Sequence, residues 1–131
     1  MAHRILVVDD DPHIRDVISF ALEKAGMTIE TARDGGEALT SFRRQPPDMI
    51  ILDIGMPDIT GFEVARRVRL EPWGRDVYLI AVTGWGQKED KALAIASGFD
   101  HHLTKPVDPD EVEIVLQTFF RRQLGPDVPA S

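Results

Sequence analysis

Apolar residues fall in short clusters along the chain, and two kinds of spacing alternate. Ile5-Leu6-Val7-Val8, Met49-Ile50-Ile51-Leu52 and Val77-Tyr78-Leu79-Ile80-Ala81-Val82 are continuous runs of strand length. Such runs suit strands covered on both faces, as in a parallel sheet. Between them the spacing becomes helical. Ile14, Val17, Ile18, Ala21, Leu22 and Ala25 form one stripe, Ala38, Leu39 and Phe42 a second, and Val64, Ala65 and Val68 a third. Ala92, Ile95 and Ala96 predict a fourth helix closing at Gly98; Val112, Val115, Leu116 and Phe119 predict a fifth. Shorter strands over residues 28–32 and near 100–103 complete the alternation. Five strands alternating with five helices predict the α/β class with a parallel sheet.

Polar residues punctuate this pattern. Asp11 and Pro12 suit an N-cap and a first helical residue, and Gly26 a helix stop. Asp34-Gly35-Gly36 reads as a turn, and Pro46-Pro47 ends the second helix. Thr60-Gly61 opens the third helix, which stops near Pro72. Asp108-Pro109-Asp110-Glu111 starts the last one with a cap, a first-turn proline and an acid at the third position. The tail from Gly125 to Ser131 has little to bury, so one domain over 1–122 and a flexible 123–131 tail are expected.

Composition narrows the class further. At 131 residues the chain suits one domain with a proper core. Its apolar runs are too short for a transmembrane helix, and Met-Ala-His-Arg leads into no secretory h-region. The absence of cysteine excludes a disulfide framework and a thiolate metal site, and agrees with a cytoplasmic location. A net charge of −7 argues against direct nucleic-acid binding, which draws on cationic neutralisation of phosphates.

The candidate chemistry lies where the strands end. Asp9 and Asp10 follow the first strand, Asp53 the third, Thr83 the fourth and Lys105 the fifth. In a parallel sheet those ends share one edge, where open α/β sheets bind ligands. Three carboxylates crowded there repel unless a cation neutralises them. With no Cys or clustered His to compete, the hard oxygens suit Mg²⁺, with Mn²⁺ as a substitute. Lys105 is a point charge for a carboxylate or phosphoryl oxygen, and Thr83 a hydroxyl donor beside the small Gly84. A carboxylate nucleophile, a divalent ion, a lysine and a hydroxyl together describe phosphoryl transfer onto Asp.

Five motifs in order carry a resemblance: Val8-Asp9-Asp10, Leu52-Asp53 with Met56-Pro57, Thr60-Gly61, Val82-Thr83-Gly84 and Lys105-Pro106. Together they resemble the receiver domain of two-component response regulators, over about Ile5 to Phe120. The resemblance implies a doubly wound, flavodoxin-like sheet of order 2-1-3-4-5 flanked by five helices. It implies that Asp53 accepts phosphate from a phosphohistidine of a sensor histidine kinase or histidine phosphotransfer protein. Asp9, Asp10, the Asp53 carboxylate and the Gly55 carbonyl would hold Mg²⁺, and Thr83 and Lys105 the phosphoryl oxygens. The output would be a switch in the face made by the fourth helix, fifth strand and last helix, which meets a downstream protein partner. Catalysis would be confined to the protein's own phosphorylation and dephosphorylation, so no turnover enzyme is expected. His102 stands where the family more commonly has Tyr or Phe, and its charge depends on pH. The stretches 98–103 and 83–86 look more like receivers attached to hybrid kinases.

Other residues have plainer readings. Asp11 caps a helix, Asp58 is a turn residue, and Arg66, Arg67, Arg69, Arg121 and Arg122 are solvated helix faces. Adjacent strand residues point to opposite faces, so His101 and His102 do not form a metal pair. Trp85 shapes access to Asp53 or is a half-buried loop aromatic. Two other functions compete. Asp9-x-Asp11 imitates a Mg²⁺-dependent phosphatase of the haloacid dehalogenase type, although Pro12 and His13 do not fit its usual continuation. An unphosphorylated docking module is the other.

Overall fold

A computed structural model of the chain describes residues 3–56, 58–84 and 96–124, with backbone only at 123 and 124. In order they form β1 (Arg4–Val8), α1 (Pro12–Lys24), β2 (Thr28–Ala32), α2 (Gly35–Arg44), β3 (Met49–Asp53) and α3 (Gly61–Leu70). A 3-10 turn (Pro72–Arg75), β4 (Tyr78–Thr83), β5 (His101–Thr104) and α4 (Pro109–Leu124) follow. All strand pairs are parallel, in the order β2-β1-β3-β4-β5. Four α-helices stand among the described residues rather than the five expected. The helix predicted around Ala92 and Ile95 lies outside the described residues, as do Pro57 and Trp85.

Strand parity divides the core in two. Leu6, Val8, Ile50, Leu52, Leu79 and Ala81 face one side, packed with Phe42 of α2 and Val64 and Val68 of α3. Ile5, Val7, Met49, Ile51, Ile80 and Val82 face the other, with Leu22 of α1 and Val112, Leu116 and Phe119 of α4. The continuous apolar runs are therefore a consequence of helices on both faces, and every residue of β3 and β4 is buried.

Most helix starts follow the capping chemistry of the sequence. The Asp11 carboxylate accepts from His13 N at 2.8 Å, and the Thr60 hydroxyl from Glu63 N at 3.3 Å. Gly26, at φ 81°, ends the passage out of α1 in the left-handed region. Asp34-Gly35-Gly36 is not a free turn. Asp34 is the N-cap of α2, accepting from Glu37 N at 2.8 Å, and the two glycines form its first helical residues.

Arg69 also departs from its expected role. Its guanidinium donates to the carbonyls of Gly74 at 2.8 Å, Val77 at 2.7 Å and Gly98 at 2.6 Å, and to Asp100 Oδ2 at 2.8 Å. Asp100 also accepts from Leu79 N at 2.9 Å and pairs with Arg122 at 3.3 Å. Charge periodicity marks a helix face as polar, and it cannot reveal that distant carbonyls converge on one guanidinium. Arg69→Ala leaves those acceptors without their donor, so we expect urea unfolding to show a loss of about 3 kcal/mol. Arg66, whose one ion pair among the described residues is with Glu63 a turn away, serves as the control, and its alanine variant should change stability by less than about 0.5 kcal/mol.

Candidate functional site

The strand order reverses between β1 and β3, and the cluster forms at that point. The chain passes from β1 outward to β2, then returns across β1 to lay down β3. The crevice outside such a reversal is open because flanking helices leave on opposite faces. Val8 is paired with Leu52, so the next residues, Asp9 and Asp53, leave the sheet side by side. One oxygen from each of Asp9, Asp10 and Asp53 lies within 4.8 Å of the others. Asp9 and Asp53 are buried, while Asp10 is exposed.

Backbone amides orient the two buried acids. Asp9 Oδ1 accepts from Asp11 N at 2.9 Å, and Asp53 Oδ1 from Gly55 N at 3.0 Å. Their second oxygens face Lys105, whose ammonium lies 3.3 Å from Asp9 Oδ2 and 3.3 Å from Asp53 Oδ2. It donates a hydrogen bond to Asp53, whereas Asp9 Oδ2 is buried and accepts none. Lys105 is placed by its own backbone, its N–H donating to Thr83 O at 2.8 Å just beyond the β4–β5 ladder. The Lys105–Pro106 peptide is cis.

Proton affinities record the imbalance. Burial pushes the Asp9 carboxyl up to about 6, with the Asp53 charge adding to the rise; the Asp11 amide and Lys105 oppose it. Burial acts to lower the Lys105 ammonium, but Asp53 and Asp9 outweigh it and hold its pKa above the usual lysine value. Two unit charges about 5 Å apart repel by about 3 kcal/mol at an effective dielectric of about 20. One ammonium cannot neutralise three carboxylates at such range. Three carboxylates with a residual double negative charge, one buried oxygen of which accepts no hydrogen bond, fit a hard divalent cation.

Thr83 is buried at the end of β4, and its hydroxyl lies 2.7 Å from His102 Nε2. Thr104 Oγ1 lies 3.4 Å from the same nitrogen. His101 is separate: its Nδ1 accepts from His102 N at 2.8 Å, and among the described residues it joins no metal-ligand cluster. Asp11 is likewise spent on capping α1, so the Asp9-x-Asp11 pair of the phosphatase reading does not assemble; Asp10 takes the third place.

Two residues near the site have roles that the sequence does not announce, Arg15 and Asp58, the latter read there only as a turn residue. Arg15 Nη1 donates to the carbonyl of Asp9 at 2.6 Å. Helical side chains lean toward the N-terminus, so an arginine in the second turn after the Asp11 cap can reach back to the strand end. Asp58 is the other. Its oxygens accept from Gly35 N at 3.1 Å and Gly36 N at 3.0 Å, far from it in sequence.

Comparison with known proteins agrees with this geometry. Residues 5–117 match the model of the response regulator receiver domain. The chain is 43% identical over 115 residues to an uncharacterised 14.6 kDa protein of Leptolyngbya boryana, covering 88% of each. It is 40% identical over 121 residues to the DNA-binding dual master transcriptional regulator RpaA of Synechocystis, covering 91% of this chain and 49% of that protein. It thus spans about half the length of several transcriptional regulators that it matches. Among solved structures, the chemotaxis response regulator CheY4 of Vibrio cholerae superposes with a TM-score of 0.85 at 34% identity, over 91% of this chain and 99% of that one. With the reversal of the sheet, the acidic cluster and these matches in agreement, the chain belongs to the receiver domains of two-component response regulators.

Proposed function

We propose that Asp53 is the phosphoacceptor, taking a phosphoryl group from a phosphohistidine of a sensor histidine kinase or histidine phosphotransfer protein. The observation that carries this reading is the convergence of one ammonium, Lys105, on the buried carboxylates of Asp53 and Asp9, with Asp10 beside them. Asp9, Asp10, the Asp53 carboxylate and the Gly55 carbonyl would hold Mg²⁺ or Mn²⁺, which supplies neutralisation of the acids and of the transferring phosphoryl oxygens.

The chain's own residues supply the rest. An Asp53 oxygen attacks phosphorus as the nitrogen–phosphorus bond of the donor breaks, and the imidazole leaves with that electron pair. Lys105, already at Asp53, pairs with a phosphoryl oxygen. Thr83 has one hydroxyl hydrogen. In the tautomer whose Nε2 accepts, that hydrogen goes to His102, and donating it to the phosphoryl group instead ends the Thr83–His102 bond, so the two compete in that tautomer. A change in that contact gives a route from Asp53 to β5, and so to the face that β5 shares with α4. A downstream protein reads that face, with a cytoplasmic location and no turnover of external substrate. No helix among the described residues is long and apolar enough to cross a membrane. What the longer relatives regulate is a property of those proteins.

Acetyl phosphate with Mg²⁺ should add one phosphoryl group to the intact chain, lost in Asp53→Asn and mapped to Asp53 by peptide mass analysis. Lys105→Ala should slow labelling about a hundredfold. Labelling that persists in Asp53→Asn, or that maps to Asp9, overturns the assignment and revives the phosphatase reading. A chain that takes no label yet binds its partner supports the unphosphorylated docking-module reading.

The raised Asp9 carboxyl gives a second test. Because its folded pKa lies above the ordinary 3.8, the folded state holds its proton more tightly, and charging Asp9 costs stability as pH rises from about 4 to about 6. Without metal, Asp9→Asn should therefore melt higher than the parent at pH 7.5, and the gap should close near pH 4. Saturating Mg²⁺ should reverse the order at pH 7.5 by stabilising only the parent. Calorimetric melting at the two pH values, with and without Mg²⁺, measures all four states.

A further inference from the structure

The described residues of the segment from Asp53 to Gly61 are held at three places. At its start, Gly55 N donates to Asp53 Oδ1 at 3.0 Å. At its end, Gly61 N donates to Ile54 O at 3.3 Å, and a Cβ on Gly61 would lie 2.6 Å from Ile54 Cα and 2.7 Å from Asp53 O. Only glycine lets the first residue of α3 approach the strand end so closely. In between, the segment meets α2: a Cβ on Gly35 would lie 2.7 Å from Ile59 Cβ. Beside that contact the two oxygens of Asp58 take the amides of Gly35 and Gly36.

This contact is more than the cap that α2 requires from its own sequence. Asp34 already accepts from Glu37 N, and Glu37 turns back to accept from Arg33 N at 3.1 Å. The amides of Gly35 and Gly36 remain, and a carboxylate from another loop takes both at the positive end of the helix. The Ile59, Gly35 and Gly36 amides together hold the Asp58 carboxyl below the usual carboxylate range. Helix α2 is itself locked into the core through Ala38, Leu39 and Phe42. Asp58 therefore ties the loop to α2.

We infer that Asp58 is a positioning residue: its bridge to Gly35 and Gly36 keeps Gly55 against Asp53, and so keeps the cation-binding loop in shape. The inference rests on the Mg²⁺ site proposed above, and its test includes a readout that needs no metal. Asp34→Ala is the control, because it weakens the same end of α2 without touching the loop.

In Asp58→Ala, calorimetric titration should show Mg²⁺ binding weakened about tenfold. Hydrogen exchange of the Gly55 amide, followed by NMR in metal-free protein, should accelerate. Asp34→Ala should lower the melting temperature yet leave Mg²⁺ affinity and Gly55 exchange at parental values. Asp58→Asn, which keeps one acceptor oxygen and the side-chain shape, should fall between parent and alanine variant and serves if Asp58→Ala does not fold. Parental Gly55 exchange and Mg²⁺ affinity in the Asp58 variants overturn the inference, as do equal losses in Asp34→Ala. A parent that binds no Mg²⁺ instead removes the metal reading, and Gly55 exchange alone then decides whether the tether exists.

Discussion

Like-charge repulsion at the point where the sheet reverses direction governs this molecule. Asp9 and Asp53 leave neighbouring strands in register, and the fold holds them together although neither can escape into water. Two amides and one ammonium offset part of the cost, and the raised Asp9 carboxyl records the remainder. A fold gains nothing in stability from such a cluster. Its presence beneath a well-packed core fits a local strain that function requires and the surrounding structure tolerates.

The core makes that tolerance possible. Both faces of β3 are covered, and its five residues are buried, so the strand carrying Asp53 cannot shift to relieve the repulsion. The same rigidity acts on β4 and β5 through the base of the sheet, where Arg69 and Arg122 meet at Asp100. The ends that carry Thr83, His102 and Lys105 are bound together instead by short polar contacts. Polar contacts of this kind exchange partners at little cost when a new charge arrives, whereas buried apolar packing does not.

Much of this was legible in the sequence because it depends on local pattern. The parallel sheet follows from runs such as Met49–Leu52, and the N-caps from Asp11 and Thr60. The strand ends brought Asp9, Asp10, Asp53, Thr83 and Lys105 to one edge, and the receiver resemblance added the strand order. Contacts between remote segments were not legible. Nothing near Arg69 announces the carbonyls of Val77 and Gly98, and nothing near Asp58 announces the amides of Gly35 and Gly36. Gly35 and Gly36 were read as a turn because glycine pairs usually make one; here the bare backbone serves close approach and donation at a helix start.

The missing side chains of Gly35 and Gly61 have a consequence for how this region can vary. Both make backbone-to-backbone or backbone-to-Cβ contacts that leave no clearance. The connection from the phosphoacceptor strand to the next helix therefore behaves as a ruler, and its length is as constrained as its chemistry. Loops elsewhere on such a domain can lengthen at small entropic cost. Between Asp53 and Gly61 one added or lost residue would pull the ruler off both of its marks.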